Sequence, residues 1–78
     1  MNPVEIRQAR LRRPFRSFYL RARNGLRYPV LEPEHVLVMS RLLVVVDPRD
    51  RIPTHVSPDE IDAIEYVDDQ PENVGNGH

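Results

Sequence analysis

The sequence predicts a mainly β fold with one short N-terminal helix, arranged as a small antiparallel barrel or a strongly bent sheet of about five strands. Three observations lead to this prediction. A helix-start signal opens the chain. Residues 15–23 then alternate between apolar and polar side chains, as a half-buried strand does. Further short strand-like segments follow, and proline, glycine or asparagine separates them.

The length and composition favour one small globular domain. The chain has 78 residues, of which 40% are hydrophobic and 29% are charged. We expect the domain to cover residues 1–67, because residues 68–78 lack periodicity and are typical of a flexible acidic C-terminal tail. An ordered core of this size is marginal, so oligomerisation would help to stabilise it.

Several classes of protein are excluded or disfavoured by the composition. The absence of cysteine excludes a disulfide scaffold and a zinc finger. The longest strongly apolar segment, residues 42–46, is far too short to span a bilayer. No apolar segment follows the basic N-terminus, so we expect no signal peptide, no membrane partner and a cytoplasmic location.

The N-terminal helix is predicted from its capping residues. Asn2 can cap the helix, Pro3 suits its first position, and Glu5 lies where the acid of a capping box would reach back. The helix should end before Pro14, because a residue that precedes proline is pushed out of the helical region. Its apolar residues are poorly phased, so this short helix must pack against the rest of the domain.

A hairpin is predicted around Asn24-Gly25, and the apolar pattern decides the length of its loop. A three-residue loop with Gly25 in the left-handed position pairs Ala22 with Leu26. Only this register places all six apolar residues of the hairpin on one face. These residues are Phe18, Leu20, Ala22, Leu26, Tyr28 and Val30.

The same register has a consequence on the opposite face of the hairpin. Arg21 and Arg27 become cross-strand neighbours, and Tyr19 lies two residues away along the strand. Like charges that oppose each other directly are destabilising. We therefore expect an anionic group close to both arginines, either a carboxylate of this chain or a group of a partner.

The central segments read as short strands interrupted by proline. Pro29 and Pro33 predict an edge strand or a sharp bend near residues 32–34. Residues 35–39, 42–46 and 52–56 are strand-like, and the second of these is apolar on both faces, as a central strand would be. Residues 47–50 predict a type I turn with proline at its second position.

The last segment of the domain, residues 58–67, fits either a short helix or a strand. Ser57 and Pro58 resemble a helix cap, whereas isoleucine, tyrosine and valine are dense in the residues that follow. We favour a single 3₁₀ turn followed by a strand.

Part of the chain resembles a group of small uncharacterised bacterial proteins of planctomycete type. The matching residues are segment 13–20 (RPFRSFYL), Asn24-Gly25, Val30, Pro33-Glu34 and Val38, and segments 56–61 and 64–65 are similar to the final strand of that group. The resemblance covers roughly residues 12–66. Glu32 stands where a histidine is more usual, and the resemblance implies kinship without an activity.

The order of helix and strands is also similar to Sm-like RNA chaperones and to SH3-like small barrels. No segment matches the RNA-binding signatures of the Sm-like proteins. The likeness is therefore one of architecture, and architecture does not fix function.

Catalytic and metal-binding chemistry find little support in the sequence. His35 and His55 are the only plausible bases of the domain, and no spacing links either of them to a particular serine. The acids near His35 show no ligand spacing that a metal site requires. We therefore predict no catalytic residue, no metal ligand and no cofactor.

The distribution of charge is the one feature that points to a binding surface. Residues 1–28 contain eight arginines and one acid, which gives a net charge of +7. Residues 29–78 contain three arginines and eleven acids, which gives a net charge of −8. The two halves could neutralise each other within the fold, or the arginines could face an anionic partner. The candidate binding residues are Arg10, Arg12, Arg13, Arg16, Tyr19, Arg21, Arg23 and Arg27.

Two functions follow from these observations. The first is a non-catalytic module that binds a protein partner or assembles into a homo-oligomer, because catalytic groups are lacking and the core is marginal. The alternative is an Sm-like nucleic-acid (RNA) binding protein that uses the arginine-rich face, since arginine contacts phosphates and tyrosine stacks on bases.

Overall fold

A computed structural model of the chain describes residues 1–67, which form one helix and six strands. The elements are α1 (Pro3–Leu11), β1 (Phe18–Ala22), β2 (Arg27–Val30), β3 (Val36–Val38), β4 (Leu43–Val46), β5 (Pro53–Val56) and β6 (Ile61–Tyr66). The strands form two antiparallel sheets of three, in the orders β2-β1-β6 and β3-β4-β5. The predicted fold class is confirmed in its bent-sheet form, because the two sheets do not close into a barrel. The predicted tail, residues 68–78, lies outside the described residues.

The helix begins and ends as its sequence predicts. The side-chain oxygen Oδ1 of Asn2 accepts a hydrogen bond from the backbone N–H of Val4 at 2.9 Å, and the helix ends at Leu11. Ile6 and Ala9 are buried, whereas Val4 and Leu11 are exposed. The poorly phased apolar residues therefore supply one buried pair, and the remaining two stay on the surface.

The hairpin between β1 and β2 has the predicted three-residue loop. Gly25 adopts a φ of +89°, and the N–H of Ala22 donates to the carbonyl of Leu26 at 2.8 Å. Phe18 lies opposite Val30, in the predicted register. Leu26 lies opposite Ala22, as predicted, but it is 54% exposed because it directly follows the loop and precedes β2.

The segment after β5 is a 3₁₀ turn followed by a strand, as predicted. The turn covers Pro58–Glu60, and the hydroxyl oxygen of Ser57 accepts a hydrogen bond from the N–H of Asp59 at 3.3 Å. Strand β6 then pairs antiparallel with β1, which becomes the centre of its sheet. This pairing closes the domain, since it joins the end of the described chain to its first strand.

The prolines that lie within strands are confined to edge strands. Pro29 lies in β2 and Pro53 lies in β5, and each of these strands is an edge strand. A second 3₁₀ turn, Pro33–His35, separates β2 from β3, where the sequence predicts the bend. The apolar segment 43–46 forms β4, the centre of the second sheet.

The turn between β4 and β5 is wider than the predicted four-residue turn. The N–H of Arg51 donates to the carbonyl of Asp47 at 2.8 Å, and Arg51 adopts a φ of 59°. The wider turn forms because carboxylates compete for the backbone: Asp47 accepts from the N–H of Arg49, and Asp50 accepts from the N–H of Ile52. The Arg49 N–H also holds the pKa of the Asp47 carboxyl below its usual value.

The core lies between the two sheets and the buried side of α1. It contains the hydrophobic residues Ile6, Ala9, Phe18, Leu20, Ala22, Val30, Val36, Leu43, Val45, Val56 and Ile61. Tyr66 packs on the edge of this core, with its ring centroid 6.1 Å from that of Phe18. Within residues 1–67, no helix is long and apolar enough to cross a membrane.

Candidate interaction surfaces

The hairpin arginines lie on the outer face of the β2-β1-β6 sheet, around a carboxylate of the same chain. Arg21 lies opposite Arg27, and Tyr19 lies opposite Glu65 of β6. Nη1 of Arg21 is 3.1 Å from Oε2 of Glu65, and Nη2 of Arg27 is 3.0 Å from Oε1. The expected anionic group is therefore Glu65, which bridges both arginines.

The two halves of this bridge differ in geometry. Arg21 donates a hydrogen bond to Glu65, whereas Oε1 of Glu65 is buried and receives no aligned hydrogen bond from Arg27. The Arg27 contact is thus an ion pair without hydrogen-bond geometry. The Arg27 guanidinium also lies 5.9 Å from the centroid of the Tyr19 ring, a distance at which cation–π attraction acts.

Arg23 lies in the loop of the same hairpin and contacts a second carboxylate. Its Nε is 3.6 Å from Oδ1 of Asp62, and both side chains are largely exposed. An exposed ion pair of this kind contributes little to stability. Together, the three hairpin arginines (Arg21, Arg23 and Arg27) contact two carboxylates, so most of the positive charge on this face is already balanced.

Arg10 has a structural role at the junction between α1 and the sheets. Its Nε donates to the carbonyl of Pro33 at 3.0 Å and to the carbonyl of Val36 at 2.9 Å. These carbonyls belong to the 3₁₀ turn and to the start of β3. Arg10 therefore ties the helix to the bend that separates the two sheets.

Two of the remaining arginines, Arg12 and Arg16, lie near the end of β6. The guanidinium of Arg16 is 4.3 Å from the centroid of the Tyr66 ring, and that of Arg12 is 5.4 Å away. Arg13 is exposed, and no carboxylate of residues 1–67 forms an ion pair with it. The eight candidate residues thus form two separate clusters, one on the hairpin and one at the helix–strand junction, rather than a single basic face.

A third surface, the outer face of the β3-β4-β5 sheet, is not predicted as an exposed surface by the sequence. Leu37, Val44 and His55 lie side by side across the three strands, and Val46 lies opposite Pro53 on the same face. Leu37 is 48% exposed, and none of the five residues carries a carboxylate or a guanidinium. We call these five residues the uncharged face.

Residues 42–46 are apolar at every position, a pattern that predicts a central strand and does not reveal that one of its faces lacks a cover. A strand that is apolar on both faces predicts burial on both faces. In the fold, Leu43 and Val45 point into the core, whereas Val44 and Val46 point outward and are half-buried. Nothing in residues 1–67 covers them fully.

The histidines show no catalytic arrangement within the described residues. Nε2 of His35 is 3.7 Å from Oε2 of Glu32, and His55 belongs to the uncharged face. The hydroxyl of Ser17 donates to the carbonyl of Leu31, and the hydroxyl of Ser57 caps the following turn. Residues 1–67 also contain no group of three or more histidine, aspartate or glutamate side chains that could hold a metal ion.

Comparisons with known proteins assign neither a family nor a function to these surfaces. The chain matches no protein-family model, no curated protein and no solved structure. The resemblance to small bacterial proteins of planctomycete type stays a prediction.

Proposed function

We propose that this protein is a non-catalytic interaction module that assembles with a second copy of itself through the uncharged face. The observation that carries the proposal is the contrast between the two sheets. The outer face of β2-β1-β6 is charged and largely neutralised by its own carboxylates, whereas the strand residues on the outer face of β3-β4-β5 expose Leu37 and include no carboxylate or guanidinium.

Solvent exposure of this face is unfavourable because most of its side chains are apolar. Full burial of an exposed leucine side chain contributes about 1.5–3 kcal/mol; Leu37 is 48% exposed, so burial of its remaining surface contributes about half of this, and the half-buried Val44 and Val46 add to it. Because each copy contributes the same residues, a two-fold interface would bury two such faces against each other. The core of the described domain is small, and burial between copies compensates for this.

A second copy also fits the chemistry of the face better than a charged partner does. The face offers aliphatic side chains, one proline and one imidazole, and the charged side chains of Glu32 and Arg51 lie only at its border, beside Val46. Two sheets that pack face to face through aliphatic side chains form an ordinary sandwich interface.

The test is sedimentation equilibrium of Leu37→Glu beside wild type and a matched control, Leu26→Glu. Leu26 is also an exposed leucine, 54% accessible, but it lies beside the loop of the β1–β2 hairpin and does not belong to the uncharged face. We expect wild type and Leu26→Glu to share an oligomeric mass and Leu37→Glu to sediment as a monomer. A monomeric wild type at high protein concentration would contradict the proposal, as would loss of the oligomer in both variants.

Nucleic-acid binding through the hairpin arginines has less support. Arg21 and Arg27 already contact Glu65, and a phosphate would have to compete with that carboxylate. Titration with single-stranded RNA across a salt series tests this alternative, because phosphate contacts make the affinity fall linearly with the logarithm of salt concentration. We expect no such binding that depends on Arg21 and Arg27.

A further inference from the structure

A groove opens at the junction between α1 and β1. None of the residues that line it belongs to the uncharged face. The volume of the groove is about 550 Å³, and its apolar walls are Leu11, Pro14, Phe15 and Pro33. Three arginines, Arg10, Arg12 and Arg13, also line it. No acidic residue of the described chain belongs to this lining, so the groove combines an apolar surface with unbalanced positive charge.

The arginines of the groove differ in how firmly they are held. Arg10 is anchored by its two hydrogen bonds to backbone carbonyls, which fixes the position of its guanidinium. Arg12 leans toward the Tyr66 ring at 5.4 Å. Arg13 is exposed and has no ion pair with a carboxylate of residues 1–67. An anionic ligand would therefore contact Arg13 without displacing a carboxylate of the described domain.

We infer that this groove binds an acidic peptide segment of a partner protein, which inserts one apolar side chain between the walls and directs its carboxylates at the arginines. Charge complementarity selects an anion, because three guanidinium groups line the site. The apolar walls select a ligand that also has hydrophobic bulk. Leu11 is 59% exposed, so more than half of its surface is available for contact.

A peptide fits these walls better than a nucleic acid does. A sugar–phosphate backbone is polar along its length, whereas the walls are aliphatic apart from Phe15. The Phe15 ring is half-buried and packs against Phe18, with ring centroids 5.9 Å apart. The ring therefore forms part of the groove wall, and its face is not free for a nucleic-acid base to stack on.

The experiment measures fluorescence anisotropy of a labelled ten-residue peptide, four glutamates on each side of a central Phe-Leu pair, with the full chain. We expect saturable binding that weakens about tenfold in Arg13→Gln, the loss expected for one charge-assisted contact. The matched control is Arg23→Gln, which removes another exposed arginine outside the groove and should leave the affinity unchanged. A peptide with two serines in place of Phe-Leu should bind at least several-fold more weakly.

Three results would overturn the inference. The first is equal affinity of the peptide for wild type, Arg13→Gln and Arg23→Gln. The second is Arg13-dependent binding of an oligonucleotide of twenty thymidines in the absence of peptide binding, which would make the groove a nucleic-acid site. The third is peptide binding only after Asp68, Asp69 and Glu72 are replaced by their amides, which would assign the groove to the chain's own acids.

The inference is independent of the proposed self-assembly, because the groove and the uncharged face share no residue. Leu37→Glu should therefore bind the peptide as wild type does. Circular dichroism of Arg13→Gln checks that its fold is intact, since Arg13 lies outside every helix and strand.

Discussion

At the residue scale, Glu65 explains how two arginines can face each other across a hairpin. Its carboxylate contacts both guanidinium groups at close to 3 Å, and its side chain is 24% exposed. The sequence alone predicts the need for such an anion, because the register places Arg21 opposite Arg27. It does not identify Glu65, since several acids of residues 59–69 could reach the hairpin and only the pairing of β1 with β6 selects one.

Substitution of Glu65 should expose the repulsion that it now offsets. We expect Glu65→Gln to lower the free energy of unfolding by about 1 kcal/mol, because both arginines lose their counter-charge and still oppose each other. Asp62→Asn is the control, since its ion pair with Arg23 is largely exposed and should contribute only a few tenths of this loss. Urea denaturation at low salt measures both changes, and equal losses in the two variants would contradict this role of Glu65.

Arg10 is a stabilising residue in the fold, although its sequence context suggested a binding role. Arg10→Met should lower the free energy of unfolding by about 1.5–3 kcal/mol, because hydrogen bonds from a charged group to the carbonyls of Pro33 and Val36 are lost. Arg7→Met is the matched control on the same helix, since Arg7 is exposed and methionine has a similar helix propensity. Thermal unfolding that shifts equally in both variants would count against the Arg10 contacts.

At the scale of the element, the hairpin was the most predictable part of the fold. Two signals agreed there: the apolar alternation chose the register, and Gly25 could adopt the positive φ that a three-residue loop requires. The turn at residues 47–51 was less predictable, because its extra residue results from competition among side-chain acceptors. Arg51 adopts a positive φ there without being glycine, which no local pattern indicates.

The conformation of Gly25 can be tested without a change in packing. An added Cβ at this position would have no heavy atom within 4 Å, so any cost of Gly25→Ala is a cost of the backbone. We expect Gly25→Ala to lower the free energy of unfolding by about 1–2 kcal/mol, the penalty of a left-handed residue with a side chain. Gly25→Asn should cost less, because asparagine tolerates this region. Urea midpoints that do not distinguish the two variants would argue against the loop conformation.

At the scale of the whole molecule, the two sheets expose different kinds of surface. Composition and alternation predicted the mainly β class, the single helix and the interruption at Pro33, since these depend on local residue types. They did not predict which face of β4 would lack a partner, because a pattern of apolar residues does not say whether the covering surface lies in the same chain. That distinction required the tertiary arrangement, in which Leu43 and Val45 are buried while Val44 and Val46 point outward.

The division of the arginines into two clusters is also a property of the whole molecule. The sequence places eight of them before residue 29, but the fold separates the hairpin arginines from those near Tyr66. Balance of the hairpin charges by Glu65 and Asp62 favours internal neutralisation over a continuous phosphate-binding face. The acids that achieve this lie on β6, some forty residues further along the chain.

Self-assembly through the uncharged face can be measured directly with methyl NMR spectra of the full chain, recorded over a series of protein concentrations. If a second copy binds to the uncharged face, the methyl resonances of Leu37, Val44 and Val46 should shift with concentration, while those of Leu26 should not. Methyl resonances of the uncharged face that stay constant over a wide concentration range would contradict self-assembly through it. Shifts confined to the hairpin end, at Leu26, would contradict the choice of this surface.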